Sequence, residues 1–233
     1  MKKFQAVAAV LLLLYSPALY FVVRFGLGSE LYSYVNLVPF ISLYLAWQQK
    51  DQWSRPGPPV ARTWGVGLLA AGLVLLAVSG LLATGNIEAV RQDLLATTVY
   101  SFVLFVAGSA CLLLDRPSLA ALAFPIGFLV FFAPLPTAVQ EGLEYFLQHG
   151  SALTAHGLLE VSGMPVYRDG TFFRLPDFSM EVAPECSGIR STLALFLTSL
   201  VAGQLLLRSN VRRTVLACVV LPIALVRNGL RVF

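Results

Sequence analysis

Charge is what this chain has least of. Only 12% of its 233 residues are Asp, Glu, Lys or Arg, whereas 58% are apolar and the mean hydropathy is +0.78. A soluble domain carries about 25% charged and roughly 45–50% apolar residues, so half of the usual charge is missing. A chain of this size surrounded by water needs far more polar surface. The composition excludes an ordinary cytosolic enzyme and a disordered chain. It also excludes a nucleic-acid partner, because the net charge of +4 comes from basic residues scattered in short clusters, not from a continuous patch.

Cysteine and histidine are scarce too. Three cysteines (Cys111, Cys186, Cys218) and two histidines (His149, His156) are too few and too dispersed for a disulfide framework or a zinc site. No ligand cluster implies a metal or an organic cofactor. Cys111 and Cys218 lie in apolar runs and read as small buried hydrophobes. Cys186 does not lie in such a run. Internal repeats and low-complexity segments are absent.

What the sequence does have is long apolar windows, and a membrane span needs about 20 such residues. The first window, Phe4 to Val23, follows Lys2 and Lys3. It resembles the start of a signal peptide, but no small-residue cleavage site follows it, so it reads as an anchor. Further windows run from Leu31 to Trp47, Thr63 to Thr84, Leu94 to Leu114, Pro117 to Pro134, Cys186 to Leu207, and Thr214 to the end.

The one long stretch that does not span is Leu135 to Glu185. Over Thr137 to Val161, apolar Val139, Leu143, Phe146, Leu147, Leu153 and Leu158 alternate with Glu141, Glu144, His149 and Glu160, the pattern of an amphipathic interfacial helix. Beyond it, Pro165 to Phe173 and Phe178 to Val182 alternate as strands do, with Asp169-Gly170 as a hairpin turn signal. The expected architecture is an all-α polytopic membrane protein of about seven transmembrane helices with a small extracytoplasmic helix-and-hairpin insertion. Its parts are residues 1–134 (five helices), 135–185 (the insertion) and 186–233 (a helix pair).

Basic residues assign the sides. With the N-terminus inside, Lys2, Lys3, Lys50, Arg55, Arg62, Arg116, Arg208, Arg212 and Arg213 fall inside, against Arg24, Arg91, Arg168 and Arg174 outside. The insertion then faces out, at the cytoplasmic membrane of the cell, with seven acids and two arginines.

The residues that carry chemistry gather at its edge. In Glu181-Val-Ala-Pro-Glu-Cys-Ser-Gly-Ile-Arg-Ser191, a thiol at the first turn of a helix meets unpaired N–H groups that favour thiolate. Arg190, four residues on, adds a positive charge on the same face, and Gly188 lets another backbone approach. Cys186 is either a nucleophile or a buried cysteine at a helix cap. In the last window Arg227, Asn228 and Arg231 share a face near the outer end. There the guanidiniums either serve a site or snorkel to the interface. A short loop, Arg208 to Arg213, makes the two helices antiparallel neighbours, so the residues converge. A thiolate beside arginines suits attack on a carbonyl, with arginine stabilising the developing charge. Glu185 either orients Arg190 or Arg231 or is solvated. Ser187 and Ser191 hydrogen-bond near the thiol, Arg168 and Arg174 stabilise the hairpin or meet headgroups, and His156 reads as a structural residue more readily than as a base.

Pro184-Glu-Cys-Ser-Gly-Ile-Arg-Ser191 followed by Arg227-Asn-Gly-Leu-Arg231 resembles the exosortase/archaeosortase family. Supporting stretches fall in family order: Pro125 to Pro136, Leu158-Leu159 before Gly163-Met-Pro-Val, Arg168-Asp-Gly, and Met180 to Glu185. The resemblance runs from about Trp64 to the end. It implies a membrane thiol protease or transpeptidase that recognises a C-terminal sorting signal of the PEP-CTERM kind on exported proteins. Such an enzyme cleaves on the outer face and passes the product to water or to a lipid- or polysaccharide-linked acceptor. Carried over, Cys186 is the nucleophile and Arg227 or Arg231 its transition-state partner. Family members resembling bacterial exosortases continue past the second motif into a span with a further His or Arg, so a segment beyond Phe233 is expected. Two other classes fit the same residues. One is a transporter or flippase with an arginine-lined path and an incidental cysteine, and the other is a polysaccharide-export scaffold.

Overall fold

A computed structural model describes residues 2–50, 61–85, 87–175, 179–183 and 187–232. Eight α-helices and three short strands account for most of them: α1 (Lys2–Gly28), α2 (Val38–Gln48), α3 (Arg62–Leu82), α4 (Ile87–Leu113), α5 (Arg116–Phe128), α6 (Thr137–Val161), β1 (Tyr167–Asp169), β2 (Phe172–Arg174), β3 (Ser179–Glu181), α7 (Ile189–Leu206) and α8 (Asn210–Val232). The chain is an all-α polytopic membrane protein. Among the described residues, α1, α3, α4, α7 and α8 are each long and apolar enough to cross a bilayer.

Five of the seven expected spans therefore form full-length helices. The other two do not. The window Leu31 to Trp47 becomes a 3-10 turn (Ser33–Leu37) and the 11-residue α2, about 16 Å of helix against the roughly 30 Å of a bilayer core. The window Pro117 to Pro134 becomes the 13-residue α5 and a second 3-10 turn, Leu129–Phe132. Prolines lie in both segments: Pro39 in the first turn of α2, Pro125 within α5, and Pro134 after the second 3-10 turn. Together with α6, the α5 segment passes the same test as one broken span, which raises the count to six.

The chain forms two compact units, Met1–Thr137 and Ala138–Phe233. In the first, α4 is the central helix, flanked by α1 and α3. Small residues at a seven-residue interval, Gly65, Gly72 and Ser79, are the buried positions of α3. Gly65 meets Gly108 and Leu112 of α4, and Gly72 meets Ser101, Leu104 and Phe105, so the two backbones approach closely. That is how helices associate where lipid removes the hydrophobic drive. On the α1 side, the Tyr15 hydroxyl lies 2.8 Å from Ser101 Oγ. Pro17 leaves the Leu13 carbonyl without its helical donor, and Ser16 Oγ supplies one at 2.8 Å. At the other end of this unit, Gln92 Nε2 donates to the Leu135 carbonyl at 2.8 Å and to the Tyr32 hydroxyl at 3.0 Å. Beside it, Asp93 Oδ1 accepts the Thr137 N–H at 2.6 Å, a carboxylate on one of the N–H groups that a helix start leaves free.

The second unit is built on α6. One face of this helix (Ala152, Ala155, Leu159) takes the three-stranded antiparallel sheet through Phe173 and Val182. The hairpin turns at Gly170 (φ +63°), and Arg168 Nε donates to the Gly170 carbonyl at 2.7 Å. A neighbouring face meets α8, where Gly150 abuts Leu225 and Gly229 abuts Thr154. The two helices run in the same direction at that contact, and α7 packs on α8 in the opposite sense. The α7–α8 loop is closed by Arg213, which donates to Leu207 O at 2.8 Å and to Gln204 Oε1 at 2.6 Å, satisfying the free carbonyl end of α7.

Candidate functional site

Cys186 and Glu185 lie outside the described residues, as do Arg55, Asp177 and Phe178. The chain on either side of the cysteine is described, and it is anchored at both ends. On the near side, β3 leads to Val182. Its N–H donates to Thr171 O at 3.0 Å, and its carbonyl accepts Gln148 Nε2 of α6 at 2.5 Å. On the far side, the carbonyl of buried Ser187 accepts Asn228 Nδ2 of α8 at 2.8 Å across 41 residues of sequence.

Gly188 follows as the N-cap of α7 in the left-handed conformation, φ +71° and ψ +18°. Only glycine reaches that conformation cheaply, and a Cβ there would also overlap the Asn228 side chain. Gly188 offers no capping side chain, and its carbonyl accepts the hydroxyls of Ser191 and Thr192, both at 2.9 Å. The first N–H groups of α7 are left without a side-chain cap.

α7 starts at Ile189, and the expectation that places Cys186 and Arg190 one turn apart on a helical face falls on a residue outside the described ones. Arg190 sits exposed in the first turn of α7. On α8 the shared face of Arg227, Asn228 and Arg231 is divided. Asn228 is 4% exposed and continues the buried line Ala217, Val220, Ala224, whereas Arg227 and Arg231 stand exposed beside it. The structure thus brings Ser187, Gly188 and Asn228 together and leaves the two arginines open at the flank. The remaining cysteines also divide: Cys111 is half-buried and Cys218 is exposed on a helix with membrane-spanning composition, so its apolar run does not bury it.

The histidines are occupied locally on α6. His149 stacks on Tyr145 with ring centroids 3.9 Å apart and Nδ1 at 3.0 Å from the Tyr145 carbonyl. His156 Nδ1 is 3.7 Å from Glu160 Oε1, and its ring lies against Phe173. Gln148 escaped the sequence reading, although a signal existed: a lone amide in line with Ala152, Ala155 and Leu159 on an otherwise apolar stripe. Gly229 and Thr154 carried none, because their pairing depends on which face α8 turns to α6.

Long apolar helices, with a small polar junction between two of them, define a polytopic membrane protein. The model of the transmembrane exosortase family (Exosortase_EpsH) matches residues 6–233, and the chain belongs to that family. No curated protein and no solved structure matches the chain.

Proposed function

We propose that the chain is a thiol protease or transpeptidase of the cytoplasmic membrane, with its site on the outer face. It cleaves the C-terminal sorting signal, of the PEP-CTERM kind, from exported proteins. Family membership supports this reading, because exosortases are in general cysteine-type proteases or transpeptidases. The observation that carries it within the chain is the junction where the residue following Cys186 is tied to the α8 segment bearing Arg227 and Arg231.

In the reaction, Cys186 sulfur attacks the scissile carbonyl carbon. The C–N bond breaks, the amine leaves with the thiol proton, and a thioester remains. Water, or an amine or hydroxyl of a lipid- or polysaccharide-linked acceptor, then takes the acyl group and returns a proton to sulfur. Arg227 or Arg231, with Arg190, stabilises the negative charge on the carbonyl oxygen as it develops. Residues 135–185, the extracytoplasmic insertion, present the signal to residues 186–233.

The test is co-expression with an exported reporter carrying such a signal, comparing the chain with Cys186→Ala. Loss of the processed band in the variant alone is expected. Processing that survives the substitution removes the thiol from the reaction and favours an arginine-lined transport path.

A further inference from the structure

We propose that Asn228 is the positioning residue of this site: its side-chain amide fixes the backbone immediately after Cys186, Gly188 gives it room, and Gly229 seats its helix on α6. The inference rests on the thiol reading above for its catalytic meaning, but its structural content stands apart from activity.

Asn228 is an amide on the buried face of a helix whose other buried residues there are Ala217, Val220 and Ala224. A polar group in such surroundings costs several kcal/mol unless it is hydrogen-bonded, and an apolar residue would pack with no such requirement. The partner it takes is a main-chain carbonyl, Ser187 O, at 2.8 Å. A bond to a main-chain atom holds the path of the chain whatever the Ser187 side chain does.

The neighbours explain why the bond forms at this point. Gly188 comes so close that a Cβ would overlap the amide. Behind Asn228, Gly229 lies flush on α6, where a Cβ would come within 2.6 Å of Thr154 and 3.2 Å of Ala155 N. The α8 helix is therefore pressed on α6 at one residue and grips the 187–188 backbone with the residue before it. Since Gln148 of the same α6 holds Val182, one helix sets both ends of the four-residue stretch 183–186 that contains Cys186, directly through Gln148 and indirectly through α8. The sequence Arg227-Asn-Gly229 then has a division of labour: exposed cation, clamp, and close-packing residue.

The experiment uses the full chain with Cys111→Ala and Cys218→Ala, so that Cys186 is the sole thiol, purified in detergent and reacted with iodoacetamide over a range of pH. Asn228→Ala is expected to raise the pH midpoint of alkylation by roughly one unit, because the Ser187 backbone, one residue from the thiol, is no longer fixed at the uncapped start of α7. The same substitution is expected to lower reporter processing at least tenfold. Should the alanine chain not survive extraction, Asn228→Ser, whose hydroxyl is too short for the Ser187 carbonyl, gives the same readouts with less lost volume. A folded variant with an unchanged alkylation midpoint overturns the proposal. Failure of the underlying reading looks different. Processing by Cys186→Ala removes the protease while leaving the alkylation shift as evidence of the clamp.

Discussion

Gln148 of α6 donates its side-chain amide to the carbonyl of Val182, 34 residues later, at 2.5 Å. This is a side chain on a long helix holding the backbone at the end of a strand, just where the chain turns toward the cysteine motif. Gln148→Leu keeps the volume and removes the donor, leaving the Val182 carbonyl to find another partner. The expected loss is about 1 kcal/mol of stability, the usual net worth of one such bond. Reporter processing is expected to fall further than that stability loss explains. Thermal unfolding in detergent and the processed fraction, measured on the same variant, check the two effects separately.

The α6–α8 contact depends on glycine at two levels, Gly150 against Leu225 and Gly229 against Thr154. Gly229→Val places branched carbons where a single Cβ already comes within 2.6 Å of Thr154. The expected cost is about 1–3 kcal/mol, the range for overpacking. Thr154→Ala on the same chain is expected to restore part of it, because the obstructing atoms are the Thr154 Cβ and Cγ2. An equal gain from Thr154→Ala in the absence of Gly229→Val would mean that the two positions do not touch.

These pairs also show where sequence reading stops. The long helices are legible because 20 apolar residues in a row have few other fates, and the hairpin because Asp169-Gly170 suits a left-handed turn. The lengths of α2 and α5 are not, since a hydropathy window counts apolar residues without registering where the backbone is a 3-10 turn instead of an α-helix, at Ser33–Leu37 and Leu129–Phe132. The start of α7 is not legible either, because Cys-Ser-Gly-Ile-Arg has no proline to set it. Gly188 at φ +71° precedes the helix at Ile189, and only the close approach of Asn228 reveals why a glycine stands there. Helical spacing groups Asn228 with Arg227 and Arg231. A 100° step per residue is enough to bury the amide and expose both guanidiniums, and which side faces α7 is a tertiary choice.

Gly108 offers an independent test in the first unit. A Cβ there would come within 2.9 Å of Leu69 and 3.0 Å of the Gly65 carbonyl, so α3 and α4 are in near-backbone contact. Gly108→Leu is expected to push the helices apart and destabilise the unit by about 1–3 kcal/mol. The readout is the fraction of monodisperse protein recovered on extraction, compared with Gly127→Leu. Gly127 has open space around it and serves as the matched control. Equal recovery of the two variants would mean that α3 and α4 do not approach at Gly108.

Arg227 and Arg231 are exposed and make no ion pair among the described residues, so their replacement leaves the packing of α8 intact. Substitutions of that kind change stability by about 0.5 kcal/mol or less. If the guanidinium of one of them stabilises the developing oxyanion, removing it costs about 10²-fold in processing, the loss seen when a preorganised donor is deleted. At least one of Arg227→Gln and Arg231→Gln is therefore expected to abolish the visible processed band at an unchanged unfolding temperature. The lysine versions discriminate further, because an ammonium keeps the charge but loses the planar fork. A strong defect in the lysine variant at the same position points to geometry, and a mild one to charge alone. Wild-type processing by the double glutamine variant would leave both arginines with the interfacial role of snorkelling side chains and no part in the reaction.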